Sequence, residues 1–183
     1  MKTYILVYDT FAQFEVVLAA YFLKTKGDII TVGITKDTVL SAEGFTVLPD
    51  MVLSDVINHD IDVFIIPGGD PNILFNETAL SDMLKQISKK ATLIGAVCSG
   101  SVHFAKAGVL DEKRYTTSLD ITRYDAFNQA NYIDENVVID KNIITAKANG
   151  YVDFAIELGK IMDIYESETD LNETIDFFKY FKY

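Results

Sequence analysis

Short β-rich apolar runs alternate along this chain with stretches of helical periodicity. "TYILVY" at 3–8 and "IITVGIT" at 29–35 read as strands, and they flank a segment, 13–26, in which Phe14, Val17, Leu18, Tyr21 and Phe22 recur at helical spacing. Together these predict a βαβ unit. "FTVLPD" at 45–50 reads as a short strand or hairpin arm. "IDVFIIPGG" at 61–69 is apolar on both faces, as a central parallel strand must be, and stops at Pro67, Gly68 and Gly69. Beyond it the pattern predicts an amphipathic helix at 78–90, a buried strand at 91–97 and a helix at 99–107 closed by Gly108. "NVVID" and "NIITA" form a tight hairpin through Asp140, Lys141 and Asn142. Residues 151–165 form a further helix, and Asp170 followed by Glu173 is a capping-box pattern that opens a closing helix at about 170–181. The alternation defines an α/β chain, and no linker or internal repeat divides it.

The 183 residues suit one domain, 1–183, with a core large enough to need no disulfide or structural metal. Hydrophobic residues make up 49% and charged residues 23%, an ordinary globular balance. The formal charge of −11, without a Lys/Arg cluster, opposes nucleic-acid or anionic-membrane partners. Neither a secretory leader nor a membrane span is expected. The single cysteine suits a reducing, cytoplasmic compartment. With only His59 and His103, and no Cys or Asp at ligand spacing, neither a metal site nor a cofactor is expected. The closing aromatic stripe, Phe177, Phe178, Tyr180, Phe181 and Tyr183, is read as docking on the chain's own core rather than on a partner.

Chemistry concentrates at Cys98, where a predicted strand gives way to a predicted helix. In open α/β sheets that edge is where ligands bind. Ala96-Val97-Cys98-Ser99-Gly100 has the form of a nucleophile elbow, with Ala96 in place of the first glycine. A thiol at a helix N-terminus is expected to be acidified. Lowering its pKa from about 8.5 to about 5.5 would turn a mostly protonated group into a thiolate at neutral pH. The bland alternative is a small buried hydrophobe. His103, five residues along the helix, points about 140° away from Cys98 and is expected to pack elsewhere.

These residues resemble the ThiJ/PfpI superfamily. "VCSGSVHFAKAGVLDEKRYTT" is similar to that family's cysteine elbow, helix, turn and following strand, "VFIIPGG" to its strand and oxyanion loop, and "TFAQFEVVLAAY" to its first loop and helix. "ITAKANGYVDFAIELGKIMD" looks most like a bacterial branch of intracellular protease or amidase type. The resemblance implies a three-layer sandwich with a mostly parallel sheet and helices on both faces, of flavodoxin-like, class I glutamine-amidotransferase-like topology. It also implies a homodimer. Cys98 takes the nucleophile position, and Glu15 that of a shielded, proton-holding glutamate bonded to the cysteine sulfur. Gly69 takes the oxyanion-loop glycine, so that its N–H and that of Ser99 would form the anion-stabilising pair. Asp70, Ser118 and Asp120 are candidate pocket residues. Ser99 stands where the protease-like branch has histidine, and Ser118 where other members have a second one, so peptidase activity is not expected.

Two functions compete. In the first, Cys98 is the nucleophile of a hydrolase or lyase acting on a small molecule, through amide hydrolysis, hydration of a reactive carbonyl or isonitrile, or handling of glyoxal-type aldehydes. In the second, the chain is a non-enzymatic redox sensor or stress-response protein whose Cys98 meets an oxidant. A binding module with an idle pocket is the third and blandest reading.

Overall fold

The computed structural model describes residues 1–182. In chain order the first half comprises β1 (Lys2–Leu6), α1 (Phe14–Leu23), β2 (Asp28–Gly33), β3 (Val39–Leu40), β4 (Thr46–Val47), β5 (Met51–Val52), α2 (Leu53–Val56) and β6 (Val63–Ile66). The second half comprises α3 (Pro71–Phe75), α4 (Thr78–Ile87), β7 (Leu93–Val97), α5 (Ser101–Lys106), β8 (Arg114–Tyr115), β9 (Asn131–Tyr132), β10 (Val137–Asp140), β11 (Ile143–Ala146), α6 (Tyr151–Ile161) and α7 (Glu168–Tyr180).

Seven strands form the main sheet in the order β10-β11-β7-β6-β1-β2-β5, parallel except for β10. The two sides of the sheet carry separate cores because side chains alternate along each strand. Tyr4, Leu6, Phe64, Ile66, Ile94 and Ala96 point into one core, while Ile5, Val63, Ile65, Leu93 and Val97 point into the other. The second core is closed by Phe22, Phe154 and Leu158 from α1 and α6. The result is the expected α/β sandwich with helices on both faces. Chain direction across the sheet reverses between β1 and β6, which leaves a crevice beyond their carboxyl ends.

The hairpin forms as expected, with β10 antiparallel to β11 and Lys141 at φ 56° in its turn. The 45–50 run is a hairpin arm, since β4 pairs with β3 outside the main sheet. Helix α1 turns a different face inward from the one its apolar spacing suggested: Glu15, Val16, Ala19, Phe22 and Leu23 are buried, whereas Phe14, Val17 and Tyr21 are exposed. The predicted helix at 99–107 divides into a 3-10 turn, Cys98–Gly100, and the six residues of α5. Helix α7 starts one turn before the expected cap. Ser167 Oγ accepts the Asp170 N–H at 3.1 Å, and the Asp170 carboxylate accepts the Glu166 N–H at 3.0 Å. Phe178 packs edge-on against Phe22 at 5.1 Å, so the stripe docks on the core as expected through this ring, while Tyr180 and Phe181 stay largely exposed. Tyr183 lies outside the described residues. Among the described residues no helix is long and apolar enough to cross a membrane.

Gly95 shows how closely α6 sits on the sheet. A Cβ there would lie 2.8 Å from the Phe154 ring and 3.3 Å from the Ile144 side chain of the neighbouring strand. We predict that Gly95→Ala costs about 1–3 kcal/mol through overpacking, read as a lower urea midpoint. Adding Phe154→Leu should restore part of the loss. An unchanged midpoint for Gly95→Ala would contradict this account of the core.

Candidate active site

Three loops converge in the crevice, following β1, β6 and β7. Cys98 ends β7, where extended backbone at Val97 gives way to φ 55° at Cys98 itself. A non-glycine residue in the left-handed region is held there by its surroundings. Its carbonyl oxygen lies 3.0 Å from Ser101 Oγ and 2.9 Å from Thr117 Oγ1. Those two hydroxyls, 2.8 Å apart, also bond to each other. On the other side, a Cβ at Gly100 would lie 2.5 Å from the Ile66 carbonyl oxygen and 2.7 Å from that of Pro67. The elbow is therefore wedged between the β6 loop and the Thr117 segment. Reading the sequence alone missed Ser101 and Thr117; the hydroxyl-rich "SGS" and "YTTS" stretches were the only available signal.

Glu15 comes from the first turn of α1 and is only 2% exposed, so the expected shielding is present and a solvated face is excluded. Its Oε2 accepts the Gly68 N–H at 2.6 Å, and its carboxyl bonds to the Cys98 side chain. Gly68 is required by this contact. A Cβ there would lie 2.7 Å from Glu15 Oε2 and 2.8 Å from Cys98 Cβ. The start of α1 is anchored in turn by Glu43, which follows β3; its two carboxylate oxygens accept the Gln13 and Phe14 N–H groups at 3.1 and 3.0 Å.

The expected oxyanion pair is not open. The Gly69 N–H donates to Ser99 Oγ at 2.9 Å, and the same hydroxyl donates back to the Gly69 carbonyl at 2.8 Å. The Ser99 N–H is the only member of the pair directed at the Cys98 sulfur. Of the candidate pocket residues, Ser118 is brought to the centre: its hydroxyl bonds to the Cys98 side chain while its oxygen accepts the Ala148 N–H at 2.8 Å. Asp70 is nearby but serves as the N-cap of α3, accepting the Asn72 N–H at 3.0 Å, and its own N–H donates to Thr10 Oγ1 at 3.0 Å. Asp120 points away from this role. It is exposed, and its carboxylate is taken up by Thr122, at 3.1 Å from the backbone nitrogen and 2.6 Å from the hydroxyl.

Burial pushes the Glu15 carboxyl up, against the pull of the Gly68 N–H and the Cys98 contact. Burial, followed by the negative charge of ionised Glu15, also pushes the Cys98 thiol up, and the Ser118 hydroxyl and Ser99 N–H only partly offset it. This overturns the expected acidification. The helix that follows is too short to supply a strong dipole, and a second buried acid faces the thiol. Two acids in contact titrate in two steps, so between those steps the pair carries one proton. The phenol of Tyr8, which donates to the Pro67 carbonyl at 3.1 Å, is pushed up as well, chiefly by burial and then by the charge of Glu15.

Among the described residues no imidazole joins this group. His103 is buried on α5, its Nε2 lacks a hydrogen-bond partner, and burial and then Lys106 lower its pKa to about 4. His59 is exposed before β6, at the other end of the sheet. An apolar groove of about 890 Å³ lies away from Cys98, lined by Phe14, Tyr21, Phe45, Tyr151 and Phe178 among others.

The family model that matches residues 1–160 is that of the DJ-1/PfpI family. A glutathione-independent glyoxalase of Caenorhabditis elegans is 30% identical over 165 residues, covering 87% of each chain. A deglycase of Thermococcus kodakarensis is 28% identical over 82% of this chain and 92% of its own. The solved structure of Drosophila melanogaster DJ-1beta superposes with a TM-score of 0.81 at 22% identity, covering 96% of this chain and 95% of that one. That likeness establishes the same fold.

The Glu15–Cys98 contact makes a specific prediction. Gln at position 15 keeps the size and removes the negative charge, so the Cys98 thiolate is no longer opposed. In Glu15→Gln, the pKa for alkylation by iodoacetamide should fall, with alkylation reaching its plateau at lower pH than in the parent. An unchanged or higher alkylation pKa would refute this.

Proposed function

This chain belongs to the DJ-1/PfpI family, and we propose that it is a cysteine-dependent enzyme acting on small 2-oxoaldehydes of the glyoxal type. The observation that carries this reading is the buried Glu15 carboxyl set against Cys98, with only the bare Cα of Gly68 beside them. With the proton on Glu15, Cys98 is a thiolate beside a neutral acid. The sulfur adds to the aldehyde carbon, and the carbonyl electron pair moves to oxygen, which takes the Glu15 proton. A neutral hemithioacetal results. Glu15, now a carboxylate, removes the proton from the former aldehyde carbon, whose electron pair runs to the ketone oxygen to give an enediolate; Glu15 returns that proton to the adjacent carbon while the hydroxyl proton of the first carbon passes to the neighbouring oxygen, so that the first carbon becomes the carbonyl. The thioester so formed is hydrolysed by water to a 2-hydroxy acid, freeing the thiol. The sequence is an internal redox isomerisation followed by hydrolysis and needs no external oxidant.

Peptide hydrolysis is less well supported. It requires a base for the nucleophile, an acid for the amine and a seat for the oxyanion. Here no imidazole is at hand and the Gly69 N–H is already bonded. The names of the glyoxalase and deglycase relatives favour aldehyde chemistry as well.

The redox reading keeps one specific support. The Ser99 N–H and the Ser118 hydroxyl donate towards the sulfur, and Glu15 in its protonated form would add a third donor, as the oxygens of a sulfinate require. The proposal also includes a symmetric dimer through the face of α1, α6 and α7. Phe14, Tyr21 and Phe45 are 47%, 64% and 60% exposed around one apolar groove there, a surface that invites burial.

Glutathione-free conversion of methylglyoxal to lactate tests the enzyme reading. Cys98→Ser should abolish it, and Glu15→Gln should lower kcat by about 100-fold or more. Turnover that survives in Cys98→Ala, or none in the parent, would defeat the proposal, and stable addition of two oxygens to Cys98 after mild peroxide would then favour the redox reading. For the assembly, Tyr21→Glu should convert a dimer to a monomer in sedimentation. A monomeric parent would rule that part out.

A further inference from the structure

The Ser99 hydroxyl bonds to both backbone polar groups of a single residue, Gly69. Its oxygen accepts the Gly69 N–H at 2.9 Å, and its proton goes to the Gly69 carbonyl at 2.8 Å. Gly69 permits this at φ 153°, a conformation closed to other residues. The loop cannot retreat from the hydroxyl. A Cβ at Gly69 would meet Thr10 O at 2.7 Å and Tyr8 Oη at 2.9 Å, which shows how tightly the β1–α1 turn backs it. Ser99 cannot leave freely either, since it is 3% exposed and sits between Cys98 and the wedged Gly100.

We infer that the Ser99 hydroxyl is a specificity-determining group: it fills the seat on the Gly69 N–H that a tetrahedral oxyanion would otherwise occupy. Cys98 is thereby held to reactions in which the carbonyl electron pair is protonated by Glu15 as it forms. Attack of the sulfur on esters and amides, which must carry that charge on a backbone donor from its first step, is disfavoured. The inference deepens the aldehyde reading and rests on it for its biological sense, but its chemistry requires only a reactive Cys98.

Two reagents separate the effects. In acylation by 4-nitrophenyl acetate, the sulfur bonds to the ester carbon, the carbonyl pair moves to oxygen, and its return expels 4-nitrophenolate. Alkylation by iodoacetamide displaces iodide and places no charge on a carbonyl oxygen, so it reports only the supply of thiolate. In Ser99→Ala the Gly69 N–H is released, and the ratio of acylation to alkylation rates should rise about 10- to 100-fold. Ser99→Thr keeps the hydroxyl and should retain the parent ratio. Should Ser99→Ala lose its alkylation through collapse of the elbow, Ser99→Gly bears the same expectation. An unchanged or lower ratio in the variants lacking the hydroxyl overturns the inference, as does a rise in Ser99→Thr equal to that in Ser99→Ala. A parent that fails to turn over methylglyoxal while the ratio still rises overturns the aldehyde proposal and leaves this one standing.

Discussion

The contact between the Glu15 carboxyl and the Gly68 N–H is the constraint around which this site is arranged. At 2.6 Å, in a setting closed to water, it fixes a carboxyl from the first helix against the loop that ends β6. An unmet partner on either side would cost about 1–3 kcal/mol, so the first turn of α1 and the β6 loop are held in one mutual position. Cys98 then packs into the remaining space, with Gly68 leaving no room for a side chain between the two acids. The crevice at the reversal of strand order makes the meeting possible, because only there do loops from both halves of the sheet approach each other.

The elbow is secured by a different kind of force. Its left-handed backbone is compensated by the two hydroxyls at the Cys98 carbonyl and by the close approach of Gly100 to the β6 loop. A sulfur presented this way is steered by geometry more than by a helix dipole. Its reactivity follows from who holds the proton: a buried neutral glutamate permits a thiolate, and a buried glutamate anion forbids one. In the proposed reaction the acid and the nucleophile are two states of one pair, which takes the part that an imidazole plays at other cysteine sites.

Serine stands at two positions where the family resemblance implies histidine, with different consequences. Ser118 still faces the sulfur and donates to it, so it preserves a polar contact without basicity. Ser99 turns away to bond Gly69 twice, which removes a base and occupies a donor in one change. Both serines suit the proposed addition chemistry better than amide cleavage.

The sequence by itself determined the architecture. Strands apolar on both faces, spaced by helix-length segments, leave few alternatives to a parallel sheet covered on two sides, and the runs at 61–69 and 91–97 carry that information in each residue. Cys98, Glu15 and Ser118 were legible through motifs that stood in order along the chain. Tertiary structure alone decided what they do. The buried face of α1 was misjudged because Phe14, Val17 and Tyr21 are as apolar as the residues that pack, and periodicity cannot tell a core from an exposed patch. The thiol was expected to be acidified because sequence shows the helix that follows but not the carboxylate brought from 83 positions away. Likewise the contacts of Ser101 and Thr117 and the two hydrogen bonds between Ser99 and Gly69 depend on distances of 2.8–2.9 Å between separate loops. Such distances are set by how the sheet twists and the helices seat, and no local pattern encodes them.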